Sequence, residues 1–198
     1  MHTLIFATNN RHKVDEVRSS LAGRFRIISL QEAGIDQEIP EPHDTLEENA
    51  FEKSSFIHRL TGGDCFSEDS GLEVHALQGA PGVRSARYAG DQADSNANIA
   101  RLLKDMQDLE DRRARFRTVI SLILNGQEFR FEGVCDGRIP QRPEGSSGFG
   151  YDPVFIPDGD NRTFGCMTME EKNFFSHRRK AVDKMIEFLL ELNHINLF

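Results

Sequence analysis

Two alternating runs meet at Asn125-Gly126, and that junction limits the folds open to the chain more than any other feature. From Arg112 to Leu124 the residues Phe116, Thr118, Ile120, Leu122 and Leu124 recur at every second position, and Phe129 to Cys135 alternates back. Asn-Gly supplies two residues that tolerate positive φ, which suits a two-residue hairpin whose twist matches its strands. The middle of the chain is therefore expected to hold an antiparallel hairpin. The beginning reads differently. Thr3 to Ala7 is a short apolar strand, followed by Thr8-Asn9-Asn10 and a helical pattern with Val14, Val17 and Leu21 on one face, and Phe25, Ile27 and Ile28 suggest a second strand. Parallel βα units near the start and an antiparallel hairpin later predict an α/β fold.

Further helices are marked by their ends. Thr45-Leu46-Glu47-Glu48 reads as a capping box opening a helix to about Leu60, which Gly62-Gly63 terminates. Asp94 or Ser95 caps a helix with Ile99, Leu102, Leu103, Met106 and Leu109 at core-facing spacing. Thr168-Met169-Glu170-Glu171 is a second capping box, and Ser176 is expected to cap a final helix with Ala181, Met185, Phe188, Leu189 and Leu192 in an apolar stripe. With 198 residues and 38% hydrophobic residues, the chain suffices for one domain, 1–198, with room for two lobes.

Charge and composition exclude several classes of function. A net charge of -8 argues against a duplex nucleic-acid binder, while a local basic pocket for an anionic small molecule remains compatible with it. The apolar runs, such as Val119 to Leu124, fall far short of the roughly 20 residues of a membrane-spanning helix. Met1-His2-Thr3-Leu4-Ile5 leads into a strand without a basic leader, so no secretory signal is expected. Cys65, Cys135 and Cys166 are widely spaced and odd in number, which suits neither a disulfide framework nor a paired-cysteine metal site and points to the cytoplasm. His12, His43, His58, His75 and His194 form no metal-ligand spacing.

Several stretches carry chemistry. In Phe66-Ser67-Glu68-Asp69-Ser70-Gly71-Leu72-Glu73-Val74 two carboxylates, a hydroxyl and a glycine interrupt an apolar strand. Acidic residues are poor strand formers and Ser-Gly is a turn signal, so Asp69 is expected at a strand end or kink, facing solvent, metal or substrate. Thr8 to Lys13 joins a strand to a helix N-terminus, where free N–H groups, the helix dipole and Lys13 favour an anion, without P-loop spacing. Asn9 or Asn10 is the expected cap. Pro40 and Pro42 stiffen the backbone around Glu41, a candidate metal ligand if not simply solvated. Lys53 alone reads as a surface lysine. Phe149 and Tyr151 lie in or beside the glycine-rich loop Pro143 to Gly150, either to stack on a planar ligand or to clamp the loop to the core. His177 and Arg178 stand in the first turn of the final helix, where cations oppose the dipole, so an acceptor is expected nearby.

Taken together, Thr8-Asn9-Asn10-Arg11-His12-Lys13, Ser67 to Leu72, Gly79 to Val83 with Ser85-Ala86-Arg87-Tyr88, Gly148 to Phe155, and Glu171-Lys172-Asn173 with Ser176-His177-Arg178 resemble the inosine triphosphate pyrophosphatase family, also called the Ham1-like proteins. The resemblance covers nearly the whole chain. It implies an elongated, mixed, curved β-sheet flanked by helices, with two lobes and a central active-site cleft. It also implies Mg²⁺-dependent hydrolysis of deaminated purine nucleoside triphosphates (ITP, dITP and XTP) to the monophosphate and pyrophosphate, by a cytoplasmic homodimer that cleanses the nucleotide pool. A related pyrophosphatase of other modified nucleotides, and a nucleotide-binding module without catalysis, are the competing readings.

Carried over by residue, the resemblance makes Thr8, Asn9, Asn10, Arg11, His12 and Lys13 the triphosphate cradle and Lys53 a second phosphate-binding lysine. Glu41 and Asp69 become Mg²⁺ ligands, with Asp69 also the general base, and Ser70 touches substrate. Phe149, Gly150, Tyr151 and Asp152 form the purine platform, and Lys172, His177 and Arg178 read the base. Glu68 ranks below Asp69 because its side chain points to the opposite face of the strand. His12, where many relatives have glycine, and Gly165-Cys166-Met167, in place of a more usual Ala-Glu-Met, are departures that remove none of the groups on which this chemistry depends.

Overall fold

The computed structural model describes residues 3–21, 25–37 and 39–194. Met1, His2 and Glu38, and the side chains of Leu21 and His194, lie outside the described residues. Seven strands are present among them: β1 (Thr3–Phe6), β2 (Arg26–Ser29), β3 (Cys65–Val74), β4 (Pro81–Gly82), β5 (Arg113–Leu124), β6 (Gln127–Arg138) and β7 (Ile156–Pro157). The helices are α1 (Arg11–Leu21), α2 (Leu46–Thr61), α3 (Ser95–Asp105), α4 (Met169–Phe175) and α5 (His177–His194). Hydrogen-bonded order in the sheet is β2-β1-β3-β5-β6-β7, with β4 on β3. β1 runs parallel to β2 and β3, whereas the β3–β4 and β6–β7 pairs are antiparallel, so the sheet is mixed as expected.

The chain divides into two compact units, Met1–Asp69 with Thr118–Gly133 and Arg178–Phe198, and Ser70–Arg117 with Val134–His177. In the first unit, Leu4 and Phe6 of β1, Val14 and Val17 of α1, and Met185 and Leu189 of α5 share one buried cluster. Phe6 and Phe66 stack there with ring centroids 4.4 Å apart. A smaller cluster packs Ile57 of α2 against Cys65 and Ile123. In the second unit, Leu102 of α3 and Met106, the residue that ends that helix, pack with Phe116, Phe155 and Phe164. The apolar positions are those that helical and strand periodicity selects.

Local chemistry accounts for most element ends. Asn125 and Gly126 both take positive φ, 50° and 79°, which closes the β5–β6 hairpin. Thr45 caps α2 by accepting the Glu48 N–H, and Gly62 ends it in a left-handed conformation. Only half of the expected capping box forms there: the Glu48 carboxylate accepts a hydrogen bond from the Thr45 hydroxyl at 2.8 Å. At Thr168 both halves form.

Two expectations are corrected. The acidic stretch does not break its strand, since β3 runs from Cys65 to Val74 with Asp69 and Ser70 inside it. Gly71 is there for close approach rather than for a turn. A Cβ at that position would lie 2.5 Å from the Gly82 carbonyl oxygen. Gly82 belongs to the short strand β4, in which Pro81 and Gly82 pair with Glu73 and Leu72.

Candidate active site

In the first unit, β1 delivers the chain into Thr8-Asn9-Asn10 and α1 begins at Arg11. Asn10 is the capping residue: its Oδ1 accepts the Lys13 N–H at 3.3 Å, and its own N–H donates to Thr8 Oγ1 at 3.2 Å. Asn9 Oδ1 accepts the Gln31 N–H at 3.0 Å. Asn9, Asn10, Arg11 and His12 are exposed and Thr8 and Lys13 half-buried. Below this turn the Lys13 ammonium lies 3.0 Å from Glu68 Oε1. Glu68 is buried, and its two oxygens stand 2.9 and 2.7 Å from Arg178 Nε. Arg178 also donates to Glu16. The acceptor expected beside Arg178 is thus a pair of protein carboxylates, Glu68 and Glu16.

A second ionic group occupies the same unit. Lys53, projecting from α2, is 2.6 Å from Glu41 Oε1 and 3.0 Å from Asp69 Oδ1. Burial falls along this group, with side-chain exposure of 8% at Lys53, 12% at Asp69 and 35% at Glu41. The Glu41 loop is tied to α2 by Asn49, whose amide accepts the His43 N–H and donates to the His43 carbonyl, both at 3.0 Å. Burial would lower the Lys53 ammonium, and the negative charges of Asp69 and Glu41 outweigh it, so the group is held charged. Burial raises the Asp69 carboxyl and Glu41 adds to the rise, against the opposing pull of Lys53 and Lys13. Glu68 is held well below the usual carboxylate range, because Arg178 and Lys13 overcome a large burial penalty.

In the second unit, Gly148 has φ +77°, and a Cβ there would fall 2.0 Å from Asp152 Oδ2. That close approach lets the Asp152 carboxylate accept the Phe149 N–H at 2.8 Å and pair with the Lys172 ammonium at 2.9 Å. The same ammonium lies 4.8 Å from the Phe149 ring centroid, a cation–π contact. His177 is buried and stacks on Phe116, centroids 4.7 Å apart and planes within 8°. Tyr151 is 4% exposed and its hydroxyl donates to the Ser85 carbonyl at 2.8 Å, so its ring belongs to the core cluster. Ser70 and Gly150 are half-buried in this unit.

The expected site residues therefore fall into two sets. Thr8 to Lys13, Glu41, Lys53, Asp69 and Arg178 lie in the first unit, and Ser70, Phe149 to Asp152, Lys172 and His177 in the second. Sequence reasoning passed over Glu16 and Asn49 and ranked Glu68 low. Glu16 shares the polar face of α1 with ordinary surface residues, and Asn49 sits inside a helix; no local pattern singles out either. Among the described residues, no group of three or more His, Cys, Asp or Glu side chains converges on one point. Glu41 and Asp69 do converge, as a pair, on the Lys53 ammonium. Two hard oxygen ligands suit Mg²⁺, which keeps several waters and completes its shell with substrate phosphates.

Residues 4–188 match the Ham1 family, and the chain belongs to that family. It is 49% identical to a dITP/XTP pyrophosphatase of Porphyromonas gingivalis over 96% of this chain and 98% of the relative. The dITP/XTP pyrophosphatase of Christiangramia forsetii is 44% identical over 94% of this chain and 98% of its own length. Among solved structures, a HAM1 protein from Coxiella burnetii superimposes with a TM-score of 0.89 at 34% identity, covering 96% of this chain and all of that one (100%).

Proposed function

We propose that this protein hydrolyses deaminated purine nucleoside triphosphates, ITP, dITP and XTP, to the monophosphate and pyrophosphate. The observation that carries the reading is the Glu41–Lys53–Asp69 group, two carboxylates gathered on one buried cation in a chain whose relatives are dITP/XTP pyrophosphatases. Glu41 and Asp69 would hold Mg²⁺, which supplies charge neutralisation on the phosphoryl oxygens and a more acidic water. Asp69, whose carboxyl burial raises, accepts the proton of the attacking water. Such a base typically contributes about 10²–10⁴ in rate. Lys13 and Lys53 bind phosphate oxygens, and the N–H groups at the start of α1 add to that cradle. Glu68, itself fixed by Arg178, holds the Lys13 ammonium in place.

Selection of the base rests on hydrogen-bond type. Hypoxanthine and xanthine present a carbonyl at position 6, to which Lys172 and an imidazole N–H of His177 donate. Adenine presents an amino group there, so donors would meet donors; a site built on one such bond can discriminate by as much as about 10⁴–10⁵. Asp152 fixes Lys172, and the Phe149 face is the stacking surface. On the family resemblance, the protein acts in the cytoplasm as a homodimer. No helix among the described residues is long and apolar enough to cross a membrane.

The products formed from dITP test the reaction. Pyrophosphate and dIMP released in equal amounts, and only with Mg²⁺ present, are expected. Orthophosphate release would overturn the reading.

A further inference from the structure

The Lys53 ammonium lies where two carboxylates meet, with 6% of the residue exposed. Glu41 and Asp69 both reach it, at 2.6 and 3.0 Å. Two carboxylates brought together without a cation repel, and burying either one unpaired is costly. A positive charge between them relieves that repulsion, and Lys53 supplies it at contact distance from both. An ammonium and a divalent ion compete for the same oxygen lone pairs. The lysine stem is long and flexible, so its charge can leave without a change in the backbone.

We propose that Lys53 is the resident counter-ion of the metal site: its ammonium holds Glu41 and Asp69 together, and a divalent cation binds by displacing it, freeing the charge for an anionic phosphate. Metal uptake and release of the lysine are then one exchange. Affinity for metal alone is weakened by the bonds that Lys53 must give up, and phosphate, by drawing off the ammonium, strengthens it. The inference rests on the reading of Glu41 and Asp69 as metal ligands.

The test needs no turnover. Mg²⁺ and Mn²⁺ are titrated by calorimetry, without nucleotide, into the full chain and into Lys53→Met, Glu41→Gln and Asp69→Asn, with thermal melts in chelator and in metal alongside. Lys53→Met is expected to melt lower than the parent in chelator, to recover most of that loss in metal, and to bind metal tighter by about tenfold or more, as loss of a competing charge at this range implies. Unchanged or weaker metal affinity in a folded Lys53→Met protein would overturn the exchange. If Glu41→Gln and Asp69→Asn leave metal affinity unaltered, the metal-ligand reading falls as well, whereas a loss in both with no gain in Lys53→Met sinks the exchange alone. Should Lys53→Met fail to fold, ¹⁵N-lysine NMR of the parent serves, with Lys53→Arg identifying the resonance. The Lys53 ammonium signal is expected to shift on adding Mg²⁺ alone, and an unmoved signal at saturating metal contradicts the proposal.

Discussion

Glu68 and Asp69 are adjacent in β3, yet their carboxylates meet different cations: Glu68 lies 2.7 Å from Arg178 Nε and Asp69 lies 3.0 Å from Lys53 Nζ. Strand pleating sends consecutive side chains to opposite faces, and the environments on those faces separate the two acids. Glu68, paired with Arg178 and Lys13, stays ionised far into the acid range. Asp69 has its carboxyl raised by burial and by Glu41, against the opposing pull of Lys53 and Lys13.

Asp69→Asn removes the acceptor while retaining size. It is expected to leave nucleotide binding within a few-fold and to slow pyrophosphate release at least about a hundredfold. Single-turnover kinetics with a separate binding measurement checks this. Near-normal turnover would remove Asp69 from the role of base.

Acid should destabilise the first unit through Glu68. Its carboxyl is lowered from an ordinary 4.5 in the folded chain, so its contribution is fully present above that value and is lost as the pH falls toward the folded one. The melting temperature is expected to drop steeply below about pH 4.5. Glu68→Gln should flatten that dependence and, by leaving Arg178 with one fewer carboxylate, cost about 3 kcal/mol at neutral pH, the low end for a broken buried pair because Glu16 remains. Melts from pH 3 to pH 7 on both proteins give the comparison.

Asn49→Ala unties the Glu41 loop from α2 by removing both bonds to His43. A loss of about 1–3 kcal/mol in urea unfolding is expected, together with a weaker response to Mg²⁺. Metal titration of this variant beside the parent separates the two effects.

Gly148→Ala places a methyl group where Asp152 Oδ2 now stands. The carboxylate must move, and Lys172 loses its 2.9 Å partner. Discrimination between dITP and dATP is expected to fall by an order of magnitude or more, since the bond that reads the 6-carbonyl is no longer held in place. Unaltered selectivity in a folded variant would show that Lys172 does not depend on Asp152.

Features set by neighbouring residues were legible in the sequence. The Asn125-Gly126 hairpin, the two ends of α2 and the capped start of α4 each follow from a few contiguous side chains and their backbone preferences. The unbroken course of β3 was not, because the charges that make Glu68 and Asp69 tolerable in a buried strand come from elsewhere. Lys53 is 16 residues from Asp69, and Arg178 is 110 residues from Glu68. Lys53 itself reads as a surface lysine by helical periodicity, and only the family resemblance singled it out. Tyr151 was expected at the ligand; its ring lies in the core, and the phenolic bond to the Ser85 carbonyl joins residues 66 positions apart. Long-range partners of this kind leave no local trace.

The central claim is selectivity for deaminated purines. Its most direct measurement is kcat/KM for pyrophosphate release from ITP, dITP and XTP against ATP, dATP and GTP, in one buffer with Mg²⁺. ITP, dITP and XTP are expected to exceed ATP and dATP by at least about a hundredfold, as a donor-lined site for the 6-carbonyl implies; that bond does not separate them from GTP, whose base carries the same carbonyl. Equal values for ITP and ATP would contradict it.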